Sequence, residues 1–178
     1  MLCLPGCGAL SEFRLAKYRD ALEPHIRGLD DLHAFYLHFV DLERELDEHE
    51  HALLERLLDY GETEPVADPR AFSPVVIPRP GTVSPWSSKA TDILHNCGLD
   101  AVRRVERGVA WCIDADTGPL DRAALEPVLP LLHDRMTEAV VDEPGAAAAL
   151  FARHEPERLT KVPVMAEGRP ALARADAD

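Results

Sequence analysis

The chain has no excess of basic residues and no long apolar run. Its 178 residues include 19 Lys and Arg against 32 Asp and Glu, which gives a formal net charge of −13. A nucleic-acid or anionic-membrane surface needs cationic side chains to neutralise phosphates, so this composition argues against both partners. No apolar run approaches the roughly 18 residues of a membrane span, and the first residues, Met1–Cys3, lack the basic character of a signal peptide. We therefore expect a cytoplasmic protein.

Cysteine is also scarce, with four residues in the chain. Cys97 and Cys112 fall in apolar segments and are predicted to be small core residues. Cys3 and Cys7 have a C-x3-C spacing, but no second pair of ligands stands at a recognisable distance in the sequence. The cysteines therefore predict neither a disulfide framework nor a metal site.

The second half of the chain shows a clear order of elements. Val75–Ile77 is a β-branched run that the following prolines must end, which predicts a short strand. Ser87 or Ser88 is expected to cap a helix at 88–97, and Gly98 stands where a helix commonly stops. The apolar side of this helix is predicted to comprise Ala90, Ile93, Leu94 and Cys97. The remaining elements predicted here are a strand at 102–113, a helix near 121–138 that contains Pro127 and Pro130, and an edge strand at 140–141.

The first half predicts the same order. A short strand at 1–4 is turned by Pro5-Gly6, and a helix from Ser11 to Gly28 follows. The apolar face of this helix comprises Leu15, Tyr18, Leu22 and Ile26. Next come a strand at 33–40 and a helix that begins with a capping box at Asp47 and Glu50 and ends at Gly61. A β-α-β-α unit must pair its strands with another sheet to bury its helices. We therefore predict an α+β fold in which two tandem duplicated halves, 1–61 and 75–144, form a pseudo-dimer with an antiparallel sheet and helices packed on it. The acidic, proline-rich stretch 62–74 is predicted to be the linker.

Several segments resemble one enzyme family in the same order along the chain. They are ALSEFRL at 9–15, LLERLLDYG at 53–61, RPGTVSPWSSKATDILHNCGL at 79–99, VRRVERG at 102–108 and LLHDRMTEAV at 131–140. The chain resembles the N-terminal region of the large single-chain phosphoribosylformylglycinamidine (FGAM) synthases of purine biosynthesis. In that family this region is similar to a fused pair of PurS subunits, which implies a PurS-like domain at 1–144. Residues 145–178 would begin a linker region that is partly disordered and truncated, with the stretch 154–178 ending as an acidic tail.

The resemblance also implies what this chain does not do. The family joins ammonia released from glutamine to formylglycinamide ribonucleotide, with ATP and magnesium, in synthase and glutaminase domains. Neither domain is recognisable here, and no Walker-type glycine loop or nucleophile elbow is present. We therefore expect a noncatalytic domain without a cofactor of its own, which organises the synthase and glutaminase domains and the ammonia path, and which can self-associate when isolated.

Two clusters of polar side chains are candidates for binding. The segment after Ile77 places many hydrogen-bonding groups beside one large aromatic residue, which suits contact with the synthase domain as well as a self-capped loop. Its candidate residues are Arg79, Thr82, Ser84, Trp86, Ser87, Ser88, Lys89 and Asp92. Arg103, Arg104 and Arg107 could bind an anion, but the many carboxylates of the chain favour pairing with acidic side chains.

Two other functions are compatible with the sequence. A free-standing regulatory module would bind a small effector in the groove between the halves. A small metal-dependent hydrolase would use His133 and Asp134, although an adjacent pair on one helix lacks the remaining ligands. Thermal stabilisation by a metabolite would support the first alternative, and metal in the purified protein would support the second.

Overall fold

The computed structural model describes residues 1–61, 74–116, 120–152 and 159–176. Most of the linker predicted at 62–74 lies outside these residues. The described strands are β1 (Leu2–Gly8), β2 (Leu29–Leu42), β3 (Val75–Pro78), β4 (Val102–Ala115) and β5 (Glu138–Val141). The described helices are α1 (Glu12–Leu22), α2 (Glu48–Leu58), α3 (Pro85–Asn96), α4 (Arg122–Leu125), α5 (Leu129–Leu132), a 3₁₀ helix (Pro144–Phe151), α6 (Val164–Glu167) and α7 (Arg169–Ala175).

The strands form one antiparallel five-stranded sheet in the order β1-β2-β4-β3-β5. The two central strands are both 14 residues long. Tyr36, the eighth residue of β2, pairs with Val109, the eighth residue of β4. This register relates the two β-α-β units by an approximate two-fold axis, with β1 beside β2 and β3 beside β4. The predicted fold class, an α+β pseudo-dimer of two halves with an antiparallel sheet, is therefore confirmed.

Helices α1 to α5 pack on one face of the sheet. At one end, Leu32 and Ala34 of β2 lie in a core with residues of α1, α4 and α5. At the other end, Val40 lies in a core with residues of α2 and α3. Each of these cores thus combines helices from both halves, because the two-fold axis brings α1 beside α5 and α2 beside α3. The opposite face carries Leu37 and Phe39, which pack against the 3₁₀ helix.

Three local predictions were wrong at element ends. β1 does not turn at Pro5-Gly6 but continues to Gly8 with an irregular register, and an edge strand tolerates a proline because its outer N–H has no partner strand. α1 ends at Leu22, and a turn rather than helix leads to Gly28. α3 is capped by Ser84, three residues earlier than predicted, because Pro85 fits the first helical position.

The helix predicted near 121–138 is two short helices, α4 and α5. Asp121 caps α4 by accepting a hydrogen bond from the backbone N–H of Ala124 (2.8 Å). Pro127 lies between the helices and Pro130 is in the first turn of α5, where its missing N–H costs nothing. The two prolines therefore divide the predicted helix. In contrast, the capping box at Asp47 and Glu50 and the edge strand at 140–141 are as predicted.

Burial differs from the prediction on α3. Leu94 is buried, but Ile93 is 55% exposed and Cys97, at the end of the helix, is also exposed. The prediction that Cys97 is a core residue was therefore wrong. Burial raises the pKa of the Cys3 thiol to about 11, so this cysteine remains protonated at neutral pH.

In the stretch 154–178, where the sequence predicts an acidic tail, the described residues include α6 and α7.

Candidate functional site

The segment predicted to contact other domains forms the connection from β3 to α3 and the first turns of α3. Its Thr82 hydroxyl donates to the Arg79 carbonyl (2.7 Å), and the Arg79 N–H donates to the Thr137 carbonyl (2.9 Å), so the connection is fixed beside β5. The exposed candidates are Arg79, Thr82, Ser88, Lys89 and Asp92; Ser84 and Trp86 are half-buried, and Ser87 is buried. The structure thus brings the predicted residues together on one short segment but gives them two different environments.

Ser84 joins this segment to a buried carboxylate. Its hydroxyl donates to Oε2 of Glu106 (2.8 Å), and its backbone N–H donates to Oε1 (3.2 Å). The same hydroxyl oxygen accepts from the backbone N–H of Ser87 (3.0 Å), which caps α3. Glu106 is fully buried, and Nε of Arg104 lies 3.9 Å from its Oε1. Sequence reasoning did not find Glu106, because a single acid in a strand gives no local signal of its partner 22 residues away.

Trp86 packs inward rather than standing free on a loop. The Arg107 guanidinium lies 4.8 Å from the centre of the Trp86 ring and 3.9 Å from that of Tyr36. The centroid of the His38 ring lies 5.7 Å from that of the Trp86 ring and 5.4 Å from that of the Tyr60 ring. Tyr36, His38, Tyr60, Trp86 and Arg107 therefore form one central cluster between the two helix-bearing cores. No local pattern marks this cluster, since its members come from four separate segments.

Hydrogen bonds connect three members of the central cluster in series. Nη1 of Arg107 donates to the Tyr60 hydroxyl oxygen (3.2 Å), and the hydroxyl lies 2.7 Å from Nε2 of His38. Since arginine can only donate, the phenol proton is available to donate to His38. Burial, and secondarily the charge of Arg107, lower the pKa of His38 to about 4. The buried imidazole is therefore neutral at physiological pH, and its Nε2 accepts a hydrogen bond from the Tyr60 hydroxyl.

The three neighbouring arginines of β4 have different partners. Nη1 of Arg103 forms an ion pair with Asp41 at 2.7 Å, and Arg104 lies beside Glu106. The predicted pairing with carboxylates therefore holds for these two residues. Arg107 forms no ion pair with any carboxylate in the described part of the chain, and its recorded partners are Tyr36, Tyr60 and Trp86.

Two clefts flank Arg107 on the helix-bearing face. The interhalf cleft, about 490 Å³, lies over the Tyr36–Val109 pair, with α1 on one side and the α5–β5 connection on the other. Its polar or aromatic lining includes Arg14, Tyr18, Trp111, His133, Asp134 and Glu138. The outer groove, about 450 Å³, lies between the β3–α3 connection and residues 136–138. Arg107 and Glu138 line both clefts.

His133 and Asp134 each form a side-chain hydrogen bond with the backbone. Nδ1 of His133 lies 2.6 Å from the carbonyl oxygen of Leu129, and an Asp134 carboxylate oxygen accepts from the N–H of Met136 (2.8 Å). Within the described ranges, no group of three or more His, Cys, Asp or Glu residues is placed to hold a metal ion. A search of the same residues finds no helix both long and apolar enough to cross a membrane.

The fold and clefts define a class of α+β domain in which two β-α-β units share one sheet and enclose a polar cleft at their junction. A family model described as formylglycinamide ribonucleotide amidotransferase N-terminal matches residues 35–151, about two thirds of the chain. The chain belongs to this family, and the resemblance to the N-terminal region of FGAM synthase is confirmed. The match begins within β2 and extends to the end of the 3₁₀ helix, so it includes the second part of β2, all of β4 and all of the second half.

Proposed function

We propose that this chain is the noncatalytic N-terminal domain of an FGAM synthase, which holds the synthase and glutaminase domains in the arrangement that carries ammonia between them. Family membership supports the parent enzyme. The shared sheet, with helices from both halves in each core, supports a rigid framework. On this proposal ATP and magnesium act in the synthase domain, and no side chain of this chain contacts the reacting atoms.

One observation supports a docking role for a particular surface. Val83 is 53% exposed and Met136 is 76% exposed, and both border the outer groove. Large apolar side chains exposed together mark protein–protein contact surfaces. We assign contact with the synthase domain to this docking surface, which consists of Val83, Met136 and the exposed candidates of the adjoining segment. Trp86 borders the same groove, and its packing on Arg107 fixes the position of the β3–α3 connection below the surface.

Reconstitution in trans tests this proposal. The chain is mixed with an FGAM synthase that lacks its first 178 residues, and glutamine-dependent FGAM formation is measured against glutamine consumed. We expect the wild-type chain to restore coupled product formation. The double variant Val83→Asp, Met136→Glu should need at least about tenfold more chain for the same recovery, because it places charge in an apolar contact.

The matched control is Phe13→Asp, which changes an apolar residue that is 68% exposed on α1. The control should restore coupling as the wild type does. Equal recovery by the double variant would remove the docking surface from the proposal. Failure of the folded wild-type chain to restore coupling would overturn the organising role itself.

A further inference from the structure

We propose that the interhalf cleft is a binding site for a small molecule that carries a phosphate or carboxylate group. This proposal is independent of the docking surface and concerns the side chains that the sheet and α1 direct to the junction of the halves. It rests on three observations within the described part of the chain: Arg107 has no carboxylate partner, the buried indole N–H of Trp111 has no acceptor, and the acids of the cleft form hydrogen bonds with backbone amides.

Arg107 is held in place but has donors to spare. Its guanidinium lies over the rings of Tyr36 and Trp86, and its hydrogen bond within the described part of the chain goes to the Tyr60 hydroxyl. A guanidinium has five N–H donors in a plane, and face-on stacking leaves its edge open to an oxyanion. Among the described residues no carboxylate forms an ion pair with Arg107, so its remaining donors can bind an anion that enters the cleft.

Trp111 supplies the second observation. It is 2% exposed and lines the interhalf cleft, and its Nε1 is buried with no hydrogen-bond partner among the described residues. A buried donor without an acceptor is destabilising, so such groups in folded proteins normally have a partner. Because Nε1 has no accessible surface, an oxygen of an anion in the cleft reaches the indole N–H only through a small movement of the side chains around Trp111.

Among the described residues, the two acids of the cleft form hydrogen bonds with backbone amides and no ion pair with its arginines. Oε2 of Glu138 accepts from the backbone N–H of Asp134 (2.7 Å), and an Asp134 carboxylate oxygen accepts from the N–H of Met136. Arg14, on the α1 side of the cleft, forms no ion pair with any described residue either. The cleft thus offers two guanidinium groups and an indole donor, while its two carboxylates bond to backbone amides.

The cleft also has the size of a ligand site, and both halves of the domain contribute to its lining. Its volume of about 490 Å³ lies within the range of small-molecule pockets. Arg14 comes from the first half, and Arg107 and Trp111 come from the second. The site therefore exists only because the two halves share one sheet.

Titration of the whole 178-residue chain with inorganic phosphate, and separately with acetate, tests the proposal. Trp111 reports directly, because the ¹H–¹⁵N spectrum contains two indole N–H signals and Trp111→Phe assigns its own. Ionic strength is kept constant with chloride. We expect a saturable shift of the Trp111 indole signal, and the anion that binds more tightly identifies the ligand as a phosphate or a carboxylate compound.

Four variants test whether the anion binds in the interhalf cleft. Arg107→Met and Arg14→Met should each weaken binding, Arg107→Met by about tenfold or more, because each removes a charge-assisted donor. Glu138→Gln should strengthen binding several-fold by removing a negative charge from the lining. Arg103→Met makes the same change of net charge outside the cleft and should leave binding unchanged.

Three results would overturn the proposal. They are no saturable shift with either anion, equal binding by the wild type and Arg107→Met, and an equal loss in Arg103→Met and Arg107→Met. If Arg107→Met does not fold, the exposed Arg14 still provides the test. Unchanged binding in both Arg14→Met and Glu138→Gln would then contradict the site.

Discussion

The two halves of this domain have the same topology but different chemistry at matching positions. β2 and β4 are equally long and pair about Tyr36 and Val109, so residues at the same distance from the start of each strand are equivalent. By this rule Ala34 corresponds to Arg107 and His38 to Trp111. Across the sheet, however, Ala34 pairs with Trp111 and His38 pairs with Arg107. One side of the axis is thus apolar at these positions and the other is polar, and each pair combines a residue of both halves, so two halves of the same topology place different chemistry on the two sides of the axis.

The helices of the two halves differ in the same way. α2 is a continuous helix of 11 residues with a complete capping box, whereas its counterpart is divided into α4 and α5 by two prolines. At the second helical position, Phe13 of α1 is 68% exposed while Trp86 of α3 packs on Arg107. The second half therefore provides most of the irregular structure around both clefts, and the first half provides more regular support.

The largest expected difference between the halves is at a glycine. Gly108 of β4 corresponds to Phe35 of β2, and a Cβ added at Gly108 would lie 2.7 Å from the carbonyl oxygen of Val76 and 3.0 Å from the Phe39 ring. Because backbone cannot move aside cheaply, Gly108→Ala should lower the free energy of unfolding by about 3 kcal/mol. Gly145→Ala is the control, since nothing lies within 4 Å of its added Cβ. Urea denaturation of both variants measures the effect, and equal midpoints would contradict it.

The buried histidine of the first half should make stability depend on pH. The folded-state pKa of His38 is about 4, below the ordinary value of 6.5, so between these values the unfolded chain binds a proton that the folded chain does not. The stability contributed by the neutral imidazole is therefore complete above pH 6.5 and is lost as the pH falls toward 4. The loss should amount to roughly 2–3 kcal/mol.

Urea denaturation of the wild type and His38→Gln across this range isolates the contribution. The variant should have a flatter dependence of unfolding free energy on pH, while His51→Gln, at a more exposed position of α2, should retain the wild-type slope. Parallel curves for the wild type and His38→Gln would show that His38 already binds the proton in the folded state.

The smallest expected effect compares the caps of the equivalent helices α1 and α3. Ser84 caps α3 and donates to the buried Glu106, whereas Ser11 stands at the cap position of α1 without a side-chain capping bond. Ser84→Ala should lower the free energy of unfolding by about 2 kcal/mol, because it removes a cap and a hydrogen bond to a buried carboxylate. Ser11→Ala should change it by less than about 0.5 kcal/mol. Thermal denaturation of the two variants measures the difference, and equal losses would contradict the asymmetry.

The candidate site was only partly predictable for a physical reason. The segment from Arg79 to Asp92 stood out because its polar residues are adjacent in sequence. The central cluster and the interhalf cleft did not, since Tyr36, Tyr60 and Arg107 meet only after β2 pairs with β4. The sequence also favoured pairing with carboxylates for Arg103, Arg104 and Arg107, but within the described residues the structure shows such pairs only for Arg103 and Arg104.

Local patterns by themselves determined the α+β class, the repeated order of elements and the capping box of α2. These features depend on backbone geometry and side-chain periodicity within a few residues, which sequence records directly. Only the tertiary structure decided that β1 continues through Gly6, where a Cβ would lie 2.5 Å from the His38 ring, and that Trp86 turns inward to Arg107. Those outcomes depend on which strands and faces meet across the sheet, and long-range pairing leaves no periodic trace in the residues that it brings together.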